Sequence, residues 1–190
     1  GLMLGIGNGF QALVKLGLVP FGDIRPMDEE CPTLTFNTIG RHQSRLVRTR
    51  VASNLSPWLS RCEVGDIHTV PVSHGEGRFV ASPELAAQLA ANGQIATQYV
   101  DEQGVRSMSL DVNPNGSVLA IEGITSPDGR ILGKMGHSER RGYGLYQNVP
   151  GDRHPPLFAG GVGYFTDEGL PASSFLARRL FGCAAPASPV

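Results

Sequence analysis

His137 and Glu139 are the sharpest pair of chemistry-bearing residues in this sequence. In an extended segment, residues two apart point to the same side. A carboxylate placed there accepts the proton of one imidazole nitrogen and fixes the tautomer, which leaves the other nitrogen as a general base. After a strand, such a pair is the second half of a nucleophile–histidine–acid triad. The competing reading is a solvated ion pair with Arg140 or Arg141 beside it. His74 and Glu76 repeat the spacing in the Gly-rich stretch Ser73–Phe79. Ser73 and His74 are neighbours on a strand and point to opposite faces, so they make a poor dyad. That loop reads as substrate-side architecture, and His42 and His68 as structural or exposed residues. Cys31, Cys62 and Cys183 are odd in number and irregularly spaced, which suggests neither a disulfide framework nor a zinc site. No metal ligand set is expected.

The first half of a triad is outlined at the start of the chain. Leu2–Ile6 is a short apolar run of the kind that fills a buried parallel strand, and Ala12–Leu16 has a helical pattern ended by Gly17 and Pro20. Between them Gly5-x-Gly7-x-Gly9 matches a nucleophile elbow, in which glycines allow a strained turn to lift one central side chain above the sheet edge. The central residue should be Ser or Cys. Here it is Gly7. The same glycines satisfy the G-x-G-x-x-A form of a dinucleotide fingerprint, but the second strand and acid it requires are replaced by the polar, proline-broken Phe21–Glu30. A Gly-rich turn without chemistry is the remaining alternative.

The elements that would position these groups follow in order. Thr33–Asn37 and Ser44–Val51 read as strands joined through Gly40, and Ile67–Val72 as a strand running into the His74 loop. Ser82-Pro83 starts a helix that stops at Asn92-Gly93. Gln94–Val100 and Val118–Ile124 are strands, and Pro127–Arg130 is a hairpin turn into Ile131–Met135. Periodicity is lost from about Gly151, and 171–190 reads as a tail with one amphipathic turn around Phe175–Phe181.

Composition sets outer bounds. A chain of 190 residues that is 41% hydrophobic can bury one ordinary domain core. A net charge of −1 gives no electrostatic reason to expect a nucleic acid or an anionic membrane as partner. The basic run Arg41–Arg50 reads as a solvated strand face. No apolar run approaches bilayer length, no signal peptide is visible, and the cysteine usage suits a reducing cytoplasm. The first residues resemble mid-domain strand, so the chain is expected to begin inside a domain.

Taken together the motifs resemble a known family. Gly5-Ile6-Gly7-Asn8-Gly9-Phe10-Gln11 is similar to the Gly-x-Cys-x-Gly-x-Gln motif of triad-type (class I) glutamine amidotransferases. Ser73–Arg78, Ala96–Asp101, Asn113–Ser117 and His137–Arg140 follow in the order found in the C-terminal glutaminase domains of phosphoribosylformylglycinamidine synthases, enzymes of de novo purine synthesis. The resemblance covers about Leu2–Phe165.

It implies an α/β, three-layer, flavodoxin-like class I amidotransferase domain over residues 1–165, lacking its N-terminal strands, with 166–190 as a C-terminal tail. It implies hydrolysis of glutamine and delivery of ammonia to a synthetase domain, in the same or a separate chain. ATP and Mg2+ would serve that domain and no cofactor this one. His137 is then the base and acid, Glu139 its orienting group and Gly7 the nucleophile position. The backbone N–H of Asn8 belongs to the oxyanion hole, Gln11 holds glutamine, and His74 lies in a substrate-side loop. The sequence departs from the family pattern at Gly7, where the cysteine is missing, and at Ser138, where many relatives have proline. A thioester cannot form at Gly7, so the chain is expected to be inactive as written. The rival reading is a non-catalytic pseudo-amidotransferase that binds or regulates; the retained His137-x-Glu139 pair speaks against long inactivity.

Overall fold

The computed structural model describes residues 1–140, 142, 145–150 and 155–166. Arg141, the turn expected at Phe175–Phe181, and Cys183 lie outside the described residues. The elements run β1 (Met3–Ile6), α1 (Asn8–Lys15), α2 (Leu18–Phe21, one kinked turn), β2 (Thr33–Thr35), β3 (Gln43–Val51), β4 (Ile67–His74), β5 (Arg78–Val80), α3 (Pro83–Ala91), β6 (Ile95–Tyr99), β7 (Ile121–Thr125), β8 (Ile131–Lys134) and α4 (Leu157–Thr166). Two 3-10 turns stand at Pro57–Leu59 and Val118–Ala120.

Six strands form one sheet in the order β1-β8-β7-β6-β3-β4, and β2 pairs with β5 in a small separate ladder. Alternate inward positions fill two sides of the large sheet. Ile95, Ile131 and Met135 join Phe10, Leu13 and Val14 of α1 and Leu89 of α3 on one side. Ala96 and Leu132 join Leu59, Trp58 and Leu157 of α4 on the other. This is the period-2 alternation of a sheet covered on both faces, so the three-layer α/β expectation holds. Gly5 and Gly133 face each other across β1 and β8. A Cβ at Gly133 would come within 2.1 Å of Phe10, and one at Gly5 within 2.5 Å of Leu13. Their bareness lets α1 lie close on the sheet.

Only β1 and β8 are parallel; the other pairs in this sheet are antiparallel. Strands β1, β8, β6 and β4 therefore all end at the same edge. The sheet curls at that edge, because β3 meets β6 only through Thr49–Val51 while the β3–β4 hairpin runs on to Gln43 and His74. The loop after β8 closes onto it, His137 N–H donating to the Pro71 carbonyl at 2.8 Å.

Several local expectations need correction. β1 is an edge strand with Met3 45% exposed, not a strand buried on all sides. The two strands read as joined through Gly40, β2 and β3, lie in different sheets. Residues 118–120 form a turn, not the start of β7, because Leu119 and Ala120 take positive φ and the Leu119 carbonyl accepts Gln98 Nε2 at 2.8 Å. Two of the three arginines of β3 are tied down: Arg48 donates to the Glu102 carbonyl at 2.8 Å and Arg45 to that of Asp111. Helix α4 has no counterpart in the sequence pattern. Its glycines give no helical signal, but a Cβ on Gly160 would come within 2.6 Å of the Trp58 carbonyl and one on Gly161 within 2.3 Å of the Trp58 ring. Packing against Trp58 overrides propensity there.

Among the described residues no strand directly after α1 returns parallel beside β1; its parallel neighbour β8 lies over a hundred residues on. The βαβ unit of a dinucleotide site is missing, and that reading is excluded.

Candidate active site

Gly7 sits between β1 and α1 with φ 56° and ψ −114°. Positive φ is costly for a residue with a Cβ, and a sharp strand-to-helix turn of this kind is the geometry of an elbow. The turn is tied to β8 by Gly7 N–H donating to the Lys134 carbonyl at 3.0 Å. Asn8 is the first residue of α1. The leading N–H groups of a helix lack intrahelical acceptors and carry partial positive charge.

The His137 ring lies directly over this turn. An ideal Cβ on Gly7 would stand 3.5 Å from His137 Cε1 and 3.6 Å from its Nε2, an ordinary contact with no clash. His137 Nδ1 donates to Glu139 Oε1 at 2.6 Å. Because the carboxylate only accepts, Nδ1 holds the proton and Nε2 presents its lone pair toward position 7. Arg140 is at 4.0 Å from the same carboxylate oxygen. The short contact is thus the imidazole one, and the surface ion pair with Arg140 is the weaker account.

What holds the loop in place is not visible in the spacing of the motif. Lys134 and Glu122 form an ion pair at 3.3 Å, 4% and 0% exposed. Glu122 also accepts the Thr97 hydroxyl and the Gly136 N–H. Lys134 donates to the Gly136 carbonyl at 3.0 Å and to Ser138 Oγ at 2.8 Å. Both neighbours of His137 are thereby fixed by one buried charge network. Ser138 is part of it. The only sequence signal is an acid and a lysine on two adjacent, otherwise apolar strands.

The opposite wall comes from the end of β4. His74 is buried, and its Nδ1 donates to Asn37 Oδ1 at 3.2 Å; Asn37 Nδ2 returns a bond to the His74 carbonyl at 2.8 Å. Its Nε2 is buried and has no hydrogen-bond partner among the described residues. Burial, reinforced by the positive character of His42 and His137 and opposed by the His74 backbone and Glu122, lowers its pKa to about 4. His74 is neutral at pH 7, with Nε2 as an acceptor. Ser73 turns the other way, its Oγ 3.1 Å from His42 Nε2, so no Ser73–His74 dyad forms. Gln11 Nε2 donates to the Glu76 carbonyl at 2.7 Å and so ties α1 to this loop. Behind it, fully buried Asn115 donates to the Gly77 carbonyl at 2.7 Å, and the Phe79 N–H donates to Ser117 Oγ at 2.9 Å. These contacts line a cleft of about 600 Å3 whose walls include Gly7, Asn8, Gln11, His74, His137 and Arg140. The site residues singled out from the sequence therefore converge on one edge of the sheet, with Glu139 behind His137.

The family described as a CobB/CobQ-like glutamine amidotransferase domain matches residues 1–165. The chain belongs to this amidotransferase family. Among curated relatives, the phosphoribosylformylglycinamidine synthase subunit PurQ of Synechococcus elongatus is 38% identical over 162 residues, covering 84% of this chain and 61% of that subunit. PurQ of Chlorobaculum tepidum is 38% identical over 151 residues, covering 80% and 59%. PurQ of Aquifex aeolicus is 37% identical over 138 residues, covering 73% and 55%. Among solved structures, that of PurLQS from Thermotoga maritima superposes with a TM-score of 0.62 at 25% identity, covering 87% of this chain and 62% of that one. This amidotransferase domain thus spans roughly three-fifths of the length of the relatives it matches. The fold expected from the motifs is the fold of the family. No helix among the described residues is long and apolar enough to cross a membrane.

Proposed function

We propose that this amidotransferase domain is the glutaminase part of a phosphoribosylformylglycinamidine synthase, with glutamine as its ligand and a synthetase as its partner. Its similarity to PurQ subunits supports the assignment. The observation that carries the chemistry is the 3.6 Å from an ideal Gly7 Cβ to His137 Nε2, with Glu139 on the other nitrogen.

With a cysteine at position 7, Nε2 takes the thiol proton and the thiolate adds to the glutamine side-chain carbonyl. The oxyanion is received by the N–H of Asn8 and its neighbours at the start of α1. His137 then protonates the departing ammonia, and water attacking the thioester releases glutamate. Gln11 ties α1 to the loop that walls the cleft, and neutral His74 braces that loop from beneath through Asn37. Ammonia passes to the synthetase, which uses ATP and Mg2+ to activate the formylglycinamide ribonucleotide amide; the product is the amidine.

As it stands the chain has hydrogen where the thiol belongs, so the covalent step is missing. Removing a triad nucleophile leaves only the weak catalysis of binding and the oxyanion hole. Gly7 is also the observation that favours a second reading, a domain that binds glutamine or its synthetase without turnover. Gly7→Cys protein, supplied with the synthetase, is the test. It should release glutamate and be labelled at the introduced thiol by an electrophilic glutamine analogue, while the Gly7 protein does neither. If Gly7→Cys also stays silent but binds glutamine, the binding reading stands; turnover by the Gly7 protein overturns both.

A further inference from the structure

Away from the cleft, Cys62, Asp66 and His68 bring together three unlike donors: a sulfur, a carboxylate oxygen and an imidazole nitrogen. All lie within 4.8 Å of one another. Cys62 follows the 3-10 turn at Pro57–Leu59, Asp66 ends the next turn, and His68 is the second residue of β4. His68 is six residues before His74 on the same strand, or about 20 Å at the rise of an extended chain. This cluster and the cleft are separate.

The loop that presents the donors is held by its own backbone. Cys62 N–H donates to the Leu59 carbonyl at 2.9 Å and Asp66 N–H to that of Glu63 at 3.1 Å. Gly65 N–H and the Asp66 carbonyl bond the backbone of Val51, each at 2.9 Å. Asp66 Oδ2 accepts the Glu63 N–H at 2.8 Å, which sets the rotation of the carboxylate and leaves Oδ1 to serve as a ligand. Cys62 and His68 are 4% and 5% exposed. Asp66 reaches solvent, so an ion has a way in.

We propose that Cys62, Asp66 and His68 form a binding site for a zinc-class divalent ion, with water as a fourth ligand. Thiolate and imidazole select zinc or cobalt over magnesium and calcium, and the thiolate with the carboxylate balances the dipositive charge. Tetrahedral bonds of about 2.0–2.3 Å put ligand atoms roughly 3.3–3.8 Å apart. The donors therefore need to close by about 1 Å, within the reach of side-chain rotation. Cysteine spacing could not reveal this site, because only one ligand is a cysteine and the folding of the 60–68 loop onto β4 brings in the others. An ion here would clamp that loop to the sheet over the Leu59–Leu132–Leu157 cluster, a stabilising rather than catalytic role.

The test is titration of the chelator-treated 190-residue chain with Co2+. One equivalent should bind with visible bands of tetrahedral cobalt and a near-ultraviolet thiolate-to-cobalt band, both erased by Zn2+. Cys62→Ser should lose the thiolate band. Asp66→Asn, at a solvent-reaching position, should keep the native far-ultraviolet circular dichroism yet bind at least about tenfold more weakly. A Cys31→Ser/Cys183→Ser protein should bind like the parent, which assigns the band to Cys62. Failure to bind cobalt, binding without a thiolate band, or equal affinity in Asp66→Asn overturns the proposal.

Discussion

Lys134 Nζ stands 3.3 Å from Glu122 Oε1 beneath the loop that carries His137, and both side chains are buried. Two charges in such a place are costly unless every partner is present. Here the Thr97 hydroxyl, the Gly136 N–H and carbonyl, and Ser138 Oγ complete the set.

Removing either partner alone should therefore already cost much of what removing both costs. Lys134→Met leaves an uncompensated buried carboxylate and should cost about 3–5 kcal/mol in urea unfolding. The double variant Glu122→Gln/Lys134→Met should cost clearly less than the sum of the two single changes. Additive losses would mean that the two charges do not act as a pair.

Gly7→Cys should fold with a modest penalty. The space over Gly7 admits a Cβ at 3.5 Å from His137, so no clash is introduced. The φ of 56° remains, and holding a non-glycine residue in a sparsely populated backbone region costs about 1–3 kcal/mol. Matched urea transitions measure this; a cysteine form clearly more stable than the glycine form would contradict the strained geometry.

His74 gives the protein an acid-side sensitivity. Its folded pKa is lowered to about 4, against 6.5 for an ordinary histidine. Between those values the unfolded chain binds a proton that the folded chain does not, so stability rises with pH through this window and falls on acidification. Below about pH 4 the loss is complete, at most about 3 kcal/mol for this group. His74→Gln should flatten the stability profile between pH 6.5 and about 4 relative to the parent. An unchanged slope would show that His74 charges freely in the fold.

Helix α4 depends on bare backbone against Trp58. Gly161→Ala should improve helix propensity yet destabilise, because the new methyl would stand 2.3 Å from the Trp58 ring. A loss of about 1–3 kcal/mol is expected for such overpacking. A gain in thermal midpoint would mean that α4 packs less tightly on Trp58 than these contacts require.

The parts whose signals are local were readable from the residues alone. The glycines around position 7, the Ser82-Pro83 helix start and the Pro127–Arg130 hairpin follow from φ restrictions, capping and turn chemistry, which act within a few residues. The His137–Glu139 contact was legible for the same reason, since a two-residue spacing in extended chain fixes a common side. The assembled fold alone sets the Gly7 turn and the His137 loop face to face, because that rests on β1 and β8 pairing in parallel across more than a hundred residues. It also decided where α4 lies, since close packing on Trp58 outweighs the poor helix propensity of its glycines. The Glu122–Lys134 network and the Cys62–Asp66–His68 cluster belong to the same class. Their members come from different elements, and no periodicity records which side chains a curled sheet will bring together.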